Sequence, residues 1–416
     1  MLKSCLLIFL LSFGIRASLI LWKKQYLKVE LPEVARIAQS IAQTGVFGNP
    51  YAVPTGPTAH SAPFFPFLLS LVYRFFGTGQ ESELVKEILS TVDCSLQYAM
   101  LPIAALCLGW PVRIGIFGGL LGALVPFRFW LETKGSLEQV YVALALMLAV
   151  MLTGVAWRTR HYTFSSAIWR GVAWGVAFHV SASLMPVCAA LLFVEVVVLE
   201  RKQVAAHLRY LTSLVLVAIL LVLPWTARNY LTFQKLFFMR DNLGLELAVS
   251  NNEFAKPLLD DNIRAPKYHH PGSSVAEALE VQRVGEIAYN HERMREAIQW
   301  INTHPGRFLE LTLLRVRYFW FPNMQRNWQA LLYGILTIIG FAGAWQAARR
   351  REPAALLIIP LWLTFPLIYY LIESADRYRY PIDWTLLLCA WYLLDRKIVG
   401  EDQLGKKLSP VSPSAT

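Results

Sequence analysis

The chain has 416 residues, of which 56% are hydrophobic and 16% charged, and its mean hydropathy is +0.42. A soluble domain has no way to bury so large an apolar share, whereas a polytopic membrane protein leaves it facing lipid. The formal charge of +11 would suit a nucleic-acid partner, but the basic residues stand in short clusters between apolar runs, the pattern of a topology signal, so no nucleic-acid partner is expected.

Apolar runs of about 20 residues, the length that crosses a bilayer, begin with Cys5 to Trp22. Lys3 followed by "CLLIFLLSFGI" looks like a secretory signal, but Arg16 interrupts it and apolarity resumes, so it reads as a first span. In "LPEVARIAQSIAQTG", Pro32 suits the first helical position, Glu33 the first turn and Gly45 the stop, which predicts a short amphipathic helix at the membrane interface. Glu30 stands just ahead of it. "GNPYAVPTGPTAHSAP", which carries His60, has too many prolines and glycines for a helix or strand and reads as loop. "PFFPFLLSLVYRFFG" is too short to span comfortably and reads as an interfacial helix on the outer surface.

Further spans are expected at Ile88 to Gly109, Val112 to Trp130 and Leu137 to Trp157. The run from Ser165 to Leu199 reads as two short spans meeting near "SASLMP". Leu208 to Trp225, Trp328 to Ala347, Pro353 to Ile372 and Ile382 to Leu394 complete about ten crossings. With that number, Lys3, Arg113, Arg158, Arg160, Arg201, Lys202, Arg209, Arg349 to Arg351, Arg396 and Lys397 all fall on the cytoplasmic face. The expected fold is an all-α polytopic membrane protein with interfacial helices and loops on its outer face. Its expected parts are an N-terminal membrane module (1–226, first outer loop 23–87), an outer-face helical segment (227–327), C-terminal transmembrane helices (328–397) and a cytoplasmic tail (398–416).

The same topology puts Lys23 to Ala62, Glu132, Arg228 to Asn327 and Glu373 to Pro381 on the outer face. In the third of these, Ser274 and Glu277 form a capping box that opens a long helix ending at "HPG", and "RFLELTLLRVRYFWF" makes a second helix. In "ESADRYRYPIDW", the residue before Pro381 favours extended geometry, and a strand would send Arg377 and Arg379 to one side. Paired guanidiniums there suit a phosphate, with lipid headgroups or Asp376 as the plainer partners. For Glu132 the plainer reading is pairing with Lys134 or Arg128, and for Arg16 an interfacial or internal partner. His269 and His270 read as a solvated loop. Cys5, Cys94, Cys107, Cys188 and Cys389 all lie in apolar stretches without ligand spacing, which gives neither a disulfide framework nor a zinc site.

These pieces, in order, resemble the GT-C membrane glycosyltransferases and within them the bacterial dolichyl-phosphate-mannose–protein mannosyltransferase-like group. The matching stretches are "EVARIAQSIAQTGVFGNPY", "PTGPTAHSAPFFPFLLSLVYRFFG", "WLET", "PWTARNY", "RDNLGLELAVSNN", "HPGRFLELTLLRVRYFWF" and "RYRYPI". The resemblance implies transfer of a sugar, with inversion, from a polyprenyl-phosphate donor to a lipid, glycan or protein acceptor. It places the site at the periplasmic face of a bacterial inner membrane. It implies Glu33 as base, where the family more often has aspartate, with Glu30 as its rival, and Glu132 as a second acidic residue. Arg377, Tyr378, Arg379 and His60 are the candidate substrate-binding residues. No obligatory cofactor is expected; a divalent cation shared by Glu33 and Glu132 is conceivable, though two carboxylates are a thin ligand set. A transporter or lipid flippase, and a non-catalytic scaffold, are the competing readings.

Overall fold

The computed structural model describes residues 1–125, 128–160, 162–199, 204–265, 269–322 and 329–399. Among these there is no β-strand, only the isolated bridges Gly48–Pro57 and Leu258–Ser374. The N-terminal half comprises α1 (Leu2–Lys23), α2 (Glu33–Thr44), α3 (Phe64–Phe76), α4 (Gln80–Cys107), α5 (Val112–Leu124), the single turn α6 (Phe129–Glu132), α7 (Gln139–Thr159), α8 (Phe164–Val180), α9 (Met185–Val194) and α10 (Val204–Phe233). A polar segment follows with α11 (Leu243–Ser250), α12 (Leu259–Asn262), α13 (Val275–Val284), α14 (Glu286–Thr303) and α15 (Pro305–Trp320). Last come α16 (Gln329–Arg349), α17 (Pro353–Thr364), α18 (Leu367–Leu371) and α19 (Tyr380–Val399).

Among the described residues, six helical stretches are long and apolar enough to cross a membrane: Leu2–Lys23, Gln80–Cys107, Gln139–Thr159, His207–Phe233, Gln329–Arg349 and Pro353–Leu371. The other expected crossings are shorter or more polar. Helix α5 has 13 residues, about 20 Å of rise against a hydrocarbon core of about 30 Å. The run after Thr163 breaks at Ser181, as the "SASLMP" stretch implies, and α19 carries Asp383 and Asp395. Beyond Val399 the expected tail lies outside the described residues, as do Arg201 and Lys202.

Helix α4 lies at the centre of the first bundle, packed on α1, α5 and α7, while α19 packs on α16, α5 and α7. Close approach between apolar helices needs small residues at the crossing. At Gly115 of α5 a β-carbon would overlap the Leu101 carbonyl of α4. At one end of the bundle, Arg113 pairs with Asp395 at 2.7 Å and Arg158 donates to the Leu106 carbonyl. Where α10 packs on α8, buried Glu195 binds Arg170 through both oxygens at 3.0 and 2.6 Å and His207 at 3.1 Å.

At the other end the expected outer segments, far apart in sequence, pack on one another. Ala52 N–H donates to the Pro271 carbonyl, Gln282 to the Pro54 carbonyl and Arg36 to the Gly272 carbonyl. Leu258 pairs with Ser374, and Arg315 and Asn251 both donate to the Leu371 carbonyl. Helix α2 starts at Glu33 after Pro32 and stops at Gly45; Ser274 caps α13, its hydroxyl accepting from Glu277 N–H at 3.3 Å. The expected single helix to "HPG" is two, parted at Gly285.

Arg16 is wholly buried. It binds Glu132 (Nη2 to Oε2, 2.7 Å) and the carbonyls of Gly122 and Ala123, joining α1, α5 and α6. Removing one member of such a pair strands the other in a low-dielectric interior, at a cost of about 3–5 kcal/mol. Arg16→Met should therefore lower the thermal midpoint of the detergent-solubilised protein sharply, and Arg16→Met with Glu132→Gln should recover at least half of the loss.

Candidate active site

Where the three polar segments meet α7, α9 and α18 they leave a cavity of about 610 Å³. Its charged lining is Glu33 from α2, Glu138 at the start of α7, Glu246 from α11, Glu373, and the arginines Arg240 and Arg377. His60, His270, Tyr378 and Tyr369 also face it, and Leu259, Ile263, Ile368 and Ile372 give it an apolar side.

Glu33 sits in the first turn of α2, half-buried, with its Oε1 3.7 Å from His270 Nδ1. Gly272 packs against it so tightly that a β-carbon at that position would overlap the carboxylate. Gly272 is itself fixed on both sides: its carbonyl accepts from Arg36 at 3.1 Å and its N–H donates to His270 Nδ1 at 3.0 Å. Burial pushes the Glu33 carboxyl up, but His270, its backbone hydrogen bonding and Arg36 outweigh this and hold it below its usual range. It is an ionised acceptor at neutral pH.

His60 is buried on the loop, 3.3 Å from Tyr51 Oη and edge-on to His270 at 6.2 Å between centroids. Burial drives its imidazole down to about 3, so it is neutral. The loop is held from below by Glu286, which accepts from Thr58 Oγ1 at 2.5 Å and Ala59 N–H at 2.7 Å. Arg240 donates to Asn242 (2.7 Å), which donates to Glu246 (2.9 Å). Glu373 accepts from Asn262. Tyr378 stacks on Tyr369 at 4.4 Å, and the Arg377 guanidinium lies over the Tyr378 ring.

Of the residues picked out by sequence, Glu33, His60, Arg377 and Tyr378 converge on this cavity. Three do not. Residues Asp376–Arg379 form a 3₁₀ turn, not a strand, and at three residues per turn positions two apart diverge. Arg379 is accordingly turned inward, buried against Asp383 (2.8 Å), the Trp320 carbonyl (2.5 Å) and Thr337 (2.7 Å). Glu132 is held by Arg16, with Tyr98 and Tyr380 (3.3 Å) also donating to it, and does not line the cavity. Its expected partners go elsewhere, Lys134 to Glu30 at 3.1 Å and Arg128 to Asp376 at 3.8 Å. Glu30 is thus an exposed surface pair.

His270 corrects the solvated-loop reading: it is buried in the cavity wall, whereas exposed His269 pairs with Glu277. Arg240, Glu138, Glu246 and Glu373 were not singled out by sequence, although "RDNLGLE" and "SLEQV" contain three of them. Glu33 and Glu132 share no site, and no group of three or more His, Cys, Asp or Glu among the described residues is placed to hold a metal.

No family model matches the chain, and no curated protein matches it. Solved structures do. The apo form of the oligosaccharyltransferase of Archaeoglobus fulgidus aligns at 17% identity and TM-score 0.59, over 98% of this chain and 51% of that one. The archaeal oligosaccharyltransferase AglB from the same organism, in complex with an inhibitory peptide and a dolichol-phosphate, aligns at 16% and 0.56, over 100% and 52%. Its form tethered to an acceptor peptide containing the NVT sequon aligns at 15% and 0.57, over 98% and 50%. The chain spans about half the length of these neighbours. At such identities the likeness is one of fold; six helices among the described residues are long and apolar enough to cross a membrane, and together these support an integral membrane protein. The narrower mannosyltransferase-like grouping draws no support from them.

Burial lifts the Glu286 carboxyl from its ordinary 4.5 to about 7, although Thr58 and Ala59 hydrogen-bond to it. The folded state then holds a proton that the unfolded chain releases, so stability falls as pH rises from about 4.5 to about 7, by up to about 3 kcal/mol. Glu286→Gln should flatten that slope, read as thermal midpoints at pH 5 and pH 8.

Proposed function

We propose that this chain is a membrane glycosyltransferase that moves a sugar, with inversion, from a polyprenyl-phosphate carrier to an acceptor hydroxyl at the outer face. The observation that carries the reading is the convergence of Glu33, Arg377 and Arg240 on one cavity that also has an apolar side. A lipid-linked sugar needs these together: a proton acceptor for the nucleophile, cations for the departing phosphate, and room for the first units of the carrier. One of the oligosaccharyltransferase structures that share the fold supplies a precedent in its bound dolichol-phosphate.

In this mechanism Glu33 takes the proton of the acceptor hydroxyl as the oxygen closes on the anomeric carbon. A carboxylate of low basicity suffices, because the hydroxyl becomes acidic only as it bonds to an oxocarbenium-like centre. Arg377, braced over Tyr378, and Arg240, braced by Asn242, receive the phosphate charge. Guanidiniums fixed by neighbours stabilise that charge without reorganising. Neutral His60 is placed to hydrogen-bond a sugar or acceptor hydroxyl. No step needs Glu132, Arg379 or Glu30, which the fold uses as framework. The expected setting remains the ten-crossing topology of a bacterial inner membrane, with the cavity on its periplasmic side.

Glu33→Gln should lower transfer at least about 10²-fold at normal expression, assayed with a panel of radiolabelled polyprenyl-phosphate hexoses and pentoses and a cell-envelope extract as acceptor. Gly272→Ala should do nearly the same by displacing the carboxylate, whereas Glu30→Gln should stay near wild type. Full activity in Glu33→Gln would remove the base from the mechanism. Arg377→Ala should raise the donor KM and lower kcat together.

A further inference from the structure

Glu138 opens α7, and its side chain faces the cavity. Among the described residues its backbone carbonyl accepts from Val142 N–H at 3.1 Å, but its carboxyl has no hydrogen bond and no ion pair. Its fellow cavity carboxylates have partners: Glu246 has Asn242, Glu373 has Asn262, and Glu33 has His270 at 3.7 Å. The charges that act on Glu138 are Arg240 from the loop before α11, Arg377 from the 3₁₀ turn and Glu246 from α11, and Glu138 acts in turn on the Tyr369 phenol of α18. It therefore shares the cavity wall with both arginines assigned above to the phosphate and feels the charge of each. A carboxyl in that place, lacking a protein partner, is matched to a group that arrives with the substrate.

We infer that Glu138 is the general acid of the transfer, protonating the carrier-phosphate oxygen as it leaves the sugar between Arg240 and Arg377. The inference rests on the transferase reading. As the acceptor oxygen bonds to the anomeric carbon and loses its proton to Glu33, the bond from that carbon to the phosphate oxygen breaks. The electron pair stays on the oxygen, and the Glu138 proton joins it. The carrier departs as its hydrogen phosphate monoester, Glu33 is left protonated and Glu138 ionised, and water entering the open cavity restores both. A phosphate dianion wedged against Glu138 favours its neutral form. Burial already works in that direction: it raises the Glu138 carboxyl although Arg240 and Arg377 pull it down, with Glu246 adding to the rise. Acid and base are thus separate carboxyls with environments that drive them apart, Glu33 down and Glu138 up.

Farnesyl phosphate, a short carrier-phosphate mimic, tests this without knowledge of sugar or acceptor. Titrated calorimetrically into the full-length protein in nanodiscs, in buffers of different ionisation enthalpy, it should bind the wild type with proton uptake. Glu138→Gln should bind it within about tenfold of the same affinity while taking up about one proton fewer. In the transfer assay Glu138→Gln should lose about 10²-fold in kcat and lack the wild type's fall in rate at high pH. Equal proton uptake in the two proteins, or no binding of farnesyl phosphate to the wild type, overturns the role. Unchanged kcat and pH profile in Glu138→Gln, with an active wild type, ends the Glu138 role alone. A wild type that moves no sugar from any donor in the panel ends the transferase reading and the acid role with it.

Discussion

A charge carried out of water must meet its counter-charge or be neutralised, and that constraint positions the site in this chain. Arg16 and Glu132 lie 116 positions apart and are both fully buried, so the corner carrying Glu132 is locked against the first helix. Tyr380 reaches the same carboxylate, which ties that corner to the turn before α19. There Arg379 is locked in turn by Asp383 and Thr337. Two buried clamps joined by one tyrosine thus fix two loops. From the first, six residues on, Glu138 projects into the cavity, and from the second Arg377 and Tyr378 do. Framework charges and cavity charges alternate within a few residues of each other.

The first outer loop is fixed by different means. Its stretch from Gly45 to Ala62 has no helix or strand of its own and must find hydrogen-bond partners elsewhere for its backbone groups. Glu286 takes the Ala59 N–H, Arg228 takes the carbonyls of Thr58 and Phe47, and Asp241 donates its N–H to the Ala59 carbonyl. All three partners lie in or beside the segment after α10. The loop that presents His60 is therefore ordered by residues about 170 to 230 positions away. Glu33 depends on the same segment through Gly272, whose carbonyl Arg36 holds. The Glu33 carboxylate on one polar segment is thus positioned by the backbone of another.

What was legible in the sequence follows from this. Features written in local periodicity and capping were readable: α2 with Glu33 in its first turn, the capping box at Ser274, the break at Ser181, and α3 as a helix of 13 residues. That three polar segments share one end was readable too, because short basic clusters sort loops by side. The roles of neighbouring charges were not. Nothing local distinguishes Glu132 from Glu138, since the difference is Arg16, on another helix. Arg377 and Arg379 were paired by assuming a strand before Pro381, and the chain instead makes a 3₁₀ turn that divides them. His270 read as a solvent residue because its shelter comes from α2 and the first loop, more than 200 positions upstream.

The arrangement also separates transfer from transport on physical grounds. Carriers of polar substrates place ionisable groups near the bilayer midplane, often in repeated halves, so that both sides reach them in turn. Here the cavity charges come from loop ends and helix starts at one end of the bundle, and no internal repeat is seen in the sequence. Leu363, Leu367 and Leu371 are exposed at one-turn spacing along α17 and α18, beside Ile368 and Ile372, which line the cavity. A carrier lipid has the same division, a charged phosphate next to an apolar tail. Under the proposed transfer, the phosphate of such a donor would meet Arg240 and Arg377 inside the cavity while its tail ran along the exposed leucines, so the two ends of the donor would be solvated by different parts of one wall.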